Sequence, residues 1–398
     1  MRRLEELAKN LCPNGVEYRK IGEITLYEQP SKYLVSSTDY DDSYSTPVLT
    51  AGQTFILGCT NEKHGIYPAS KDNPVIIFDD FTGAFKWVDF PFKVKSSAMK
   101  MLTANEDITS LRYIYHLMGF LNYTSDEHKR LWISIYSELQ VPVPPIEVQS
   151  EIVRILDNFT ELTAELTAEL TARQKQYEYY RDLLLTFSDV DNSQNVHVER
   201  ERERRSRAVR WLTIGDLGKV SMCKRILKSQ TNSEGGIPFF KIGTFGGTAD
   251  SYISKELFEE YSHLYSYPKK GDILISAAGT IGRTVVFNGE PAYFQDSNIV
   301  WVANDESIVL NRFLYYYYQL KPWKVSTGGT ISRLYNDNIS KAPVPVLPIE
   351  EQLRVIEILD RFDAICNDLK EGLPAEIEAR QRQYEYYRDR LLTFKEAV

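Results

Sequence analysis

Residues 173–182 read RQKQYEYYRD, and residues 380–389 repeat this tyrosine-rich stretch almost unchanged as RQRQYEYYRD. The match begins well before it, because PIEVQSEIVRILDNF (145–159) resembles PIEEQLRVIEILDRF (348–362). Two long matching segments, each preceded by a globular stretch, are the signature of an internal duplication. The chain is therefore predicted to contain one structural unit twice.

Each copy has the apolar spacing of a long helix. Apolar residues recur at steps of three and four, as at Ile152, Ile155 and Phe159. Pro145 and Pro348 stand immediately before the two copies, where proline suits the entry of a helix. The pattern predicts two helices of about 41 to 46 residues, about 60–70 Å long at 1.5 Å per residue. Helices of this length with an apolar stripe pair as coiled coils.

The two copies differ in length at their middle. The first has three ELTA units at 161–172, whereas the second has four units, AICN, DLKE, GLPA and EIEA, at 364–379. Four residues add about 6 Å of rise and about 400° of turn, so the apolar stripe is nearly preserved while the length changes. Gly372 and Pro374 lie in the second middle segment, where we expect the helix to kink or restart.

The segments between the long helices also match. Residues 74–90 parallel residues 271–287, and residues 107–122 parallel residues 307–322, the clearest helix of each domain. The remainder consists of short β-branched and aromatic runs separated by Gly, Asn and Asp, which is typical of strands. The expected fold class is α+β, with two globular α/β domains separated by two long antiparallel helices that form a coiled coil, in a pseudo-two-fold repeat. The predicted limits are 1–146 for the first domain, 147–187 for the first spacer helix, 188–206 for a linker, 207–348 for the second domain and 349–398 for the second spacer helix.

The composition is that of a globular protein, with 398 residues, 43% hydrophobic and 26% charged. No apolar run approaches the roughly 20 residues of a membrane helix, and the first residues lack the apolar core of a signal peptide. The four cysteines show no C-x-x-C spacing, which argues against a disulfide framework or structural zinc. We expect a cytoplasmic protein without a membrane segment.

The net charge of −8 is concentrated in the two helical segments. Residues 147–187 hold eight acids and four bases, and residues 349–398 hold twelve acids and eight bases. The remainder of the chain is neutral, and residues 207–245 hold seven bases against two acids. The overall acidity therefore does not exclude a nucleic-acid partner.

The sequence lacks catalytic signatures. It has no G-x-x-x-x-G-K-[ST] phosphate loop, no G-x-G-x-x-G, no G-x-S-x-G elbow and no H-E-x-x-H helix. The pair Asn73 and Pro74 falls short of the N-P-P-aromatic signature of adenine methyltransferases, and the five histidines are scattered. We predict no catalytic residue, no metal site and no cofactor on this chain.

Polar, glycine-rich and basic loops recur at matching places in the two domains. Glycine lets backbone amides approach phosphates, while Arg, Lys and Asn side chains can contact phosphates or base edges. Each loop taken alone is more simply explained as an ordinary solvated turn, and it is the repetition in two domains that favours a binding role. The candidate DNA-binding residues are Lys63, His64, Thr82, Lys86, Ser96, Ser97, Lys129 and Arg130 in the first domain, and Lys224, Arg225, Lys228, Gly279, Thr280, Gly282, Arg283, Asn298, Gly328, Gly329, Thr330, Ser332 and Arg333 in the second.

The chain resembles the specificity subunit of type I restriction-modification enzymes. GDILISAAGTIGR (271–283) and STGGTISRLYNDNISKAPVPVLPIEEQ (326–352) resemble the target-recognition domain of that family, and the helical copies resemble its spacer regions, including the Thr-Ala-Glu-Leu tetrads. The first domain departs from the pattern, because residues 131–145 lack the Gly-Thr-Ile element. The resemblance implies a non-catalytic subunit that reads a bipartite DNA sequence, one part with each domain.

The resemblance also implies partners. They are double-stranded DNA, two methyltransferase subunits that methylate adenine, and restriction/translocase subunits. S-adenosylmethionine, ATP and Mg are then expected on the partner subunits only. The repeated tyrosines suit two equivalent docking sites, although they could equally fill the seam between the helices or be left by a recent duplication; Tyr179 and Tyr386 lie off that seam. The candidate docking residues are Tyr177, Tyr179, Tyr180, Tyr384, Tyr386 and Tyr387.

Two other classes of function stay open from the sequence. A coiled-coil scaffold could use its two domains to bind proteins, in which case replacing Arg283 and Arg333 by alanine would leave DNA binding unchanged. The chain could itself be a methyltransferase, although the cofactor and catalytic motifs are missing. Binding of S-adenosylmethionine to the isolated chain would favour that class.

Overall fold

The computed structural model describes residues 2–52, 54–123, 129–187, 209–325 and 333–397. The predicted linker at 188–206 lies outside these ranges. The chain divides into two compact units, Met1–Ala168 with Ala375–Val398, and Glu169–Pro374. Helices and strands are mixed in both units, which confirms that part of the predicted fold class.

The first unit is built on small sheets. Its described strands are β1 (Glu17–Lys20), β2 (Thr25–Glu28), β3 (Thr46–Leu49), β4 (Ile56–Thr60), β5 (Val75–Asp79), β6 (Phe85–Val88), β7 (Lys93–Val94), β8 (Met99–Ala104) and β9 (Gln140–Val143). An antiparallel sheet has the order β2-β8-β5-β6, a second sheet has the order β4-β3-β7 with β3 and β7 parallel, and β1 pairs with β9.

Strand β5 shows why the four-stranded sheet forms. Its sequence, VIIFD, consists mainly of branched and aromatic residues, which fit a pleated strand. Ile76 and Phe78 belong to one apolar core, whereas Val75 and Ile77 belong to another. Successive side chains of a strand point to opposite faces, so the sheet is covered by apolar side chains on both sides.

The second unit repeats this strand order. Its described strands are β10 (Arg210–Thr213), β11 (Gly218–Ser221), β12 (Ile237–Phe240), β13 (Tyr252–Ile253), β14 (Ile273–Ser276), β15 (Thr284–Val286), β16 (Tyr293–Phe294), β17 (Ile299–Asn304) and β18 (Pro343–Val346). The sheets have the orders β11-β17-β14-β15, β13-β12-β16 and β10-β18. Each order matches one sheet of the first unit strand for strand.

The helices include those that the sequence predicted and five that it did not. The described helices are α1 (Arg2–Leu11), α2 (Ile21–Ile24), α3 (Leu111–Leu121), α4 (Ile146–Leu185), α5 (Ile214–Leu217), α6 (Lys255–Leu264), α7 (Asn311–Tyr318), α8 (Asn336–Ser340), α9 (Ile349–Asn367) and α10 (Leu373–Leu392), with short 3-10 turns at Pro30–Lys32, Tyr136–Glu138 and Lys228–Gln230. Helices α3 and α7 confirm the predictions at 107–122 and 307–322. The sequence did not predict α1, α6 or the short helices α2, α5 and α8. Within the described ranges, none of these helices combines the length and apolar character needed to span a bilayer.

Both long helical segments begin directly after the two prolines, as predicted, at Ile146 and Ile349. A buried glutamine holds the first turn of each segment in place. The Gln149 side-chain nitrogen donates to the carbonyl oxygens of Ile108 (3.0 Å) and Pro144 (2.8 Å). Gln352 does the same toward Ile308 (2.9 Å) and Leu347 (2.8 Å). The glutamine of the PIE-x-Q motif therefore ties each long helix to the loop before α3 or α7.

The second long segment is broken, as the sequence predicted. Helix α9 ends at Asn367 and α10 begins at Leu373, with Pro374 in its first turn. The second spacer segment thus consists of two helices with the break near the expected place, whereas α4 runs unbroken for 40 residues. Proline is tolerated in the first turn because the amides there have no partner within the helix.

Within each unit, parts of the two long segments pack together through aromatic rings. In the first unit Phe159 of α4 stacks on Tyr387 of α10, with ring centroids 5.2 Å apart. In the second unit Tyr180 of α4 stacks on Phe362 of α9 at 5.5 Å. A stacked phenylalanine–tyrosine pair therefore joins the two long segments in both units.

Candidate nucleic-acid interface and partner surface

In the second unit, the loop between β14 and β15 is held rigid by Ser276. Its hydroxyl donates to the carbonyl oxygen of Thr280 and accepts from the amide of Arg283 (2.9 Å). Gly279 has a φ of 62°, a backbone conformation that side chains disfavour. Gly279, Thr280 and Arg283 are exposed, whereas Gly282 is buried against the ring of Trp323. The loop therefore presents three of the four predicted residues to solvent.

Arg333 lies beside a left-handed turn of the second unit. One of its terminal nitrogens donates to the Ser297 carbonyl oxygen and hydroxyl (both 2.9 Å) and to the Asn298 side-chain oxygen (3.3 Å). The φ of Ser297 is 54°. Arg333, Ser297, Tyr335 and Lys341 line an open cavity of about 730 Å³. The contacts with Ser297 and Asn298 therefore fix the position of the Arg333 side chain.

Three other basic residues of the second unit that were predicted to bind DNA are exposed and follow β11. The Lys224 ammonium lies 4.9 Å from the centre of the Tyr265 ring, and Arg225 forms an ion pair with Asp296 at 2.8 Å. Lys228 begins a 3-10 turn and is exposed. Gly328, Gly329, Thr330 and Ser332 lie outside the described residues.

In the first unit, a buried lysine holds the loop that carries Lys63 and His64. The Lys93 ammonium contacts the Glu62 carboxylate at 2.8 Å and donates to the His64 carbonyl oxygen at 2.7 Å. The hydrogen bond from Lys93, together with the amides of Ser36 and Ser37, lowers the pKa of Glu62 to about 2. Lys63 and His64 themselves are exposed.

The loop after β5 presents Thr82. The Asp79 carboxylate accepts from the amides of Phe81 and Thr82, both at 2.9 Å, and leaves the Thr82 side chain exposed. Lys86 is half-buried and lines a cavity of about 320 Å³ with Thr82. Ser97 is exposed on the neighbouring loop, while the Ser96 hydroxyl accepts from the amide of Ala98 (3.1 Å).

A buried ion pair that the sequence reading missed supports these loops. Lys100 and Asp80 are 0% and 2% exposed, and their charged atoms are 3.1 Å apart. Lys100 also donates to the Gln29 side chain (3.2 Å), and the other Asp80 oxygen accepts from the amide of Trp132 (2.8 Å). The backbone carbonyl of Asp80 accepts from Leu131 (2.7 Å). Asp80 therefore joins the Thr82 loop to the segment that follows Lys129 and Arg130.

The second unit makes the same backbone contacts without the charges. The amide of Leu334 donates to the Ala277 carbonyl (2.9 Å), and the amide of Ala277 donates to Asn298 (2.7 Å). In the first unit Asp80 takes the place of Ala277 and Ala98 takes the place of Asn298, since Asp80 donates to Ala98 (3.0 Å). Arg130 then corresponds to Arg333. Ala98 lacks the side-chain acceptor that Asn298 offers Arg333, and Arg130 and Lys129 are both exposed.

The repeated tyrosines fall into two groups. Tyr177 is buried, and its hydroxyl donates to the Gln319 side chain (2.8 Å). Tyr384 lies 3.2 Å from a ring nitrogen of His116, and Tyr180 and Tyr387 stack on phenylalanines as described above. Tyr179 and Tyr386 are 59% and 60% exposed. These two side chains are therefore available to a partner.

A polar cluster between α3 and the long helices also escaped the sequence reading. Arg112 donates to Asp157 at 2.7 Å, and His116 contacts the same carboxylate oxygen at 2.8 Å. Burial lowers the pKa of His116, although Asp157 opposes the shift. In the second unit Arg312 pairs with Asp360 at 2.7 Å and a tyrosine, Tyr316, replaces the histidine. The parallel positions of Arg112 and Arg312 were the available sequence signal.

Among the described residues, no group of three or more His, Cys, Asp or Glu side chains could hold a metal ion.

Comparison with known proteins places this geometry in a family. The model of the type I restriction modification DNA specificity domain matches residues 13–173 and again residues 209–379. The chain is 42% identical to the EcoR124I/EcoR124II type I restriction enzyme specificity subunit of Escherichia coli, over 99% of this chain and 98% of that protein. It is 50% identical to a protein of Haemophilus influenzae named as a type I restriction enzyme specificity subunit, over 71% of this chain and 72% of that protein.

Solved structures show the same fold. The S subunit of a type I restriction-modification system from M. genitalium superposes with a TM-score of 0.60 at 13% identity, covering 95% of this chain and 96% of that chain. A chain from a structure described as the basis of complex assembly and conformational transition of the type I R-M system gives a TM-score of 0.53 at 18% identity, covering 96% and 98%. The chain therefore belongs to the family of type I restriction-modification DNA specificity subunits, whose role is DNA target recognition.

Proposed function

We propose that this chain reads a bipartite double-stranded DNA target, one half-site with each of two target-recognition domains at 1–146 and 207–348. The spacer segments at 147–187 and 349–398 form an antiparallel coiled coil that holds the domains apart, joined through the linker at 188–206. The main support for this proposal is that exposed polar and basic side chains lie on corresponding loops of two units with the same strand order. Unlike side chains on these loops then select unlike half-sites.

The chain acts as a non-catalytic cytoplasmic subunit. It docks two methyltransferase subunits and restriction/translocase subunits, which bring S-adenosylmethionine, ATP and Mg. Tyr179 and Tyr386 support this part of the proposal, because each is an exposed tyrosine resting on the ring of its neighbour, at 5.4 Å and 5.3 Å. Tyrosine is enriched at protein interfaces since it buries apolar area and keeps a hydroxyl for hydrogen bonding.

DNA binding at several salt concentrations tests the proposal. The chain alone is expected to bind DNA weakly, with log affinity falling linearly with log salt. The complex with methyltransferase subunits is expected to prefer one bipartite sequence over shuffled DNA. A complex without preference among sequences would contradict the proposal.

The docking surface needs a separate measurement. A Tyr179→Ala/Tyr386→Ala variant is expected to lose affinity for the methyltransferase subunit. A Tyr27→Ala variant, which removes an exposed tyrosine far along the sequence from both copies, is the matched control. Equal affinity of the two variants would contradict the role of the tyrosines.

A further inference from the structure

The loop at 241–251 joins β12 to β13 in the second unit and contains none of the predicted DNA-binding residues. It begins with a tight turn, in which the amide of Thr244 donates to the Lys241 carbonyl oxygen (3.0 Å) and its hydroxyl accepts from the Lys241 amide (3.1 Å). Phe245 follows, is 2% exposed and belongs to an apolar core of the unit. The buried ring therefore anchors the loop and fixes the backbone on either side of it.

Gly246, the next residue of this loop, lies against the guanidinium of Arg283. One terminal nitrogen of Arg283 donates to the Gly246 carbonyl oxygen at 3.1 Å. A Cβ on Gly246 would lie 2.9, 3.0 and 3.1 Å from Nη2, Cζ and Nε of Arg283. These nearly equal distances place the glycine over the flat face of the guanidinium. The φ of Gly246 is 74°, a conformation that favours glycine, so glycine permits both the turn and the close approach.

The loop also packs against the turn from which Arg283 projects. A Cβ on Gly279 would lie 3.3 Å from Cγ1 of Ile242, and the Ile242 amide donates to the Gln295 side chain at 2.9 Å. The Arg283 side chain is nevertheless exposed. Its guanidinium is therefore held in one plane at the surface of the protein.

The first unit has an open cavity at the corresponding place. The Ala84 carbonyl oxygen accepts from the Asp79 amide (2.8 Å), as the Arg283 carbonyl oxygen accepts from the Ser276 amide (2.9 Å). Ala84 therefore corresponds to Arg283. Together with Ala51, which follows β3, Ala84 lines the cavity of about 320 Å³. The contact between an arginine and a glycine backbone is thus a feature of the second unit, and its effect on DNA recognition should be confined to one half-site.

A guanidinium held in a fixed plane suits a base edge better than a phosphate. Arginine reads guanine through two hydrogen bonds to O6 and N7, which requires the guanidinium to lie in the plane of the base. Attraction to phosphate depends chiefly on charge and carries no sequence information. A side chain that is fixed before binding also loses less conformational entropy when the base is bound.

We propose that Gly246 is a positioning residue for Arg283, and that Arg283, held in this way, reads the O6 and N7 atoms of a guanine in the half-site of the second unit. The inference rests on the proposed bipartite recognition. It names one base of the target and the residue that orients its reader.

DNA with a single altered atom tests the base contact. The complex with methyltransferase subunits receives duplexes in which 7-deazaguanine, which lacks the N7 acceptor, replaces one guanine of the split sequence at a time. At one guanine of one half-site, the replacement is expected to lower the rate of methylation by about tenfold, as the loss of one hydrogen bond to a charged group implies. The Arg283→Ala complex is expected to be insensitive to the same replacement.

Gly246→Ala tests the positioning role. The added methyl group meets the end of a flexible side chain, so the guanidinium moves aside while the loop keeps its place. This variant is expected to lose the sensitivity to 7-deazaguanine although Arg283 is still present.

Two glycines of the same unit provide matched controls. Gly235→Ala introduces the same backbone strain, at a φ of 73°, and Gly243→Ala alters the same loop. Among the described residues, no atom lies within 4 Å of a Cβ added at either position. Both controls are expected to keep the tenfold sensitivity. Thermal melting checks that the variants are folded. If Gly246→Ala does not fold, Gly246→Asn replaces it, because asparagine tolerates a positive φ and carries the same Cβ.

Retained sensitivity in the Gly246 variant would overturn the positioning role. If the parent complex is insensitive at every guanine and Arg283→Ala slows the methylation of all duplexes alike, Arg283 contacts a phosphate and the inference is wrong, while bipartite recognition stands. If the parent complex methylates no split sequence at all, the proposed function itself has failed.

Discussion

At the scale of single residues, the two units use different contacts to hold the loops that carry Arg130 and Arg333. Arg333 is held by Ser297 and Asn298. At the place that corresponds to Asn298 the first unit has Ala98, which offers Arg130 no side-chain acceptor, and the segment that follows Arg130 is held by Asp80, which pairs with Lys100. A buried ion pair costs desolvation of both charges and adds little stability over apolar side chains of similar size. We therefore attribute to this pair a role in fixing the recognition loops.

Separating the two charges tests that view. Lys100→Met leaves Asp80 buried without a counter-charge and is expected to lower the free energy of unfolding by about 3–5 kcal/mol. The double variant Asp80→Asn/Lys100→Met keeps an acceptor for Trp132 and is expected to cost less than about 1 kcal/mol. Lys255→Met, which breaks an exposed pair with Glu259, is the control. Urea unfolding measures all three, and a single variant as stable as the parent would contradict the account.

His116 gives a prediction about pH. Burial lowers its pKa below the ordinary value of about 6.5, so the folded chain favours neutral imidazole. Arg112 and Arg388 act in the same direction, and Asp157 acts against them. The stability that the neutral ring contributes is present above pH 6.5 and is lost as the pH falls below it, by at most about 1.4 kcal/mol per pH unit. His116→Tyr, which copies Tyr316, is expected to flatten the pH dependence of unfolding between pH 7 and 5. Parallel curves for the two proteins would refute this.

Most of the DNA-binding residues that the sequence predicted and the structure describes are exposed. The buried residues that hold their loops in place, such as Asp80 and Lys100, were not predicted. Lys63, Thr82 and Arg283 are exposed on loops because Gly, Asn and Asp around them mark turns. Asp80 and Lys100 are twenty positions apart, and the sequence does not show that the strands β5 and β8 bring them together. Gly282 is a packing residue against Trp323, a contact that depends on tertiary structure.

At the scale of elements, the starts of the long helices were predictable and some other helices were not. Proline gives a local signal that needs no tertiary information. Helix α6 has a serine cap, since the Ser254 hydroxyl accepts from the amide of Leu257, but α6 lies outside the segments that match between the two copies. The internal repeat therefore gives no signal for α6. The same holds for α1, whose Leu4 joins the core of the first unit.

The glutamine at each long-helix start is expected to be important for stability. Gln149→Ala removes donors to Ile108 and Pro144 and an acceptor for Thr109, leaving buried polar groups without partners. The expected loss in free energy of unfolding is about 2–4 kcal/mol. Gln381→Ala, an exposed change in α10, is expected to stay within about 0.5 kcal/mol. Thermal unfolding distinguishes them, and equal losses would contradict the anchoring role.

At the scale of the whole molecule, each unit should determine its own half of the target. Arg130→Ala is expected to relax discrimination at one half-site, and Arg283→Ala at the other, each by about 1–3 kcal/mol or roughly 5- to 150-fold. Rates of methylation by the assembled complex, on DNA altered in one half-site at a time, measure the two effects. If either variant lowers discrimination equally at both half-sites, the proposal that each unit reads its own half-site is wrong.

Mapping methylated adenines across a genome tests the central claim most directly. Cells that carry the methyltransferase and restriction subunits are compared with and without this chain. The account predicts one split sequence, with two different halves and a fixed gap, that is methylated only when the chain is present. A methylation pattern unchanged by removal of the chain, or a methylated motif without a gap, would contradict it.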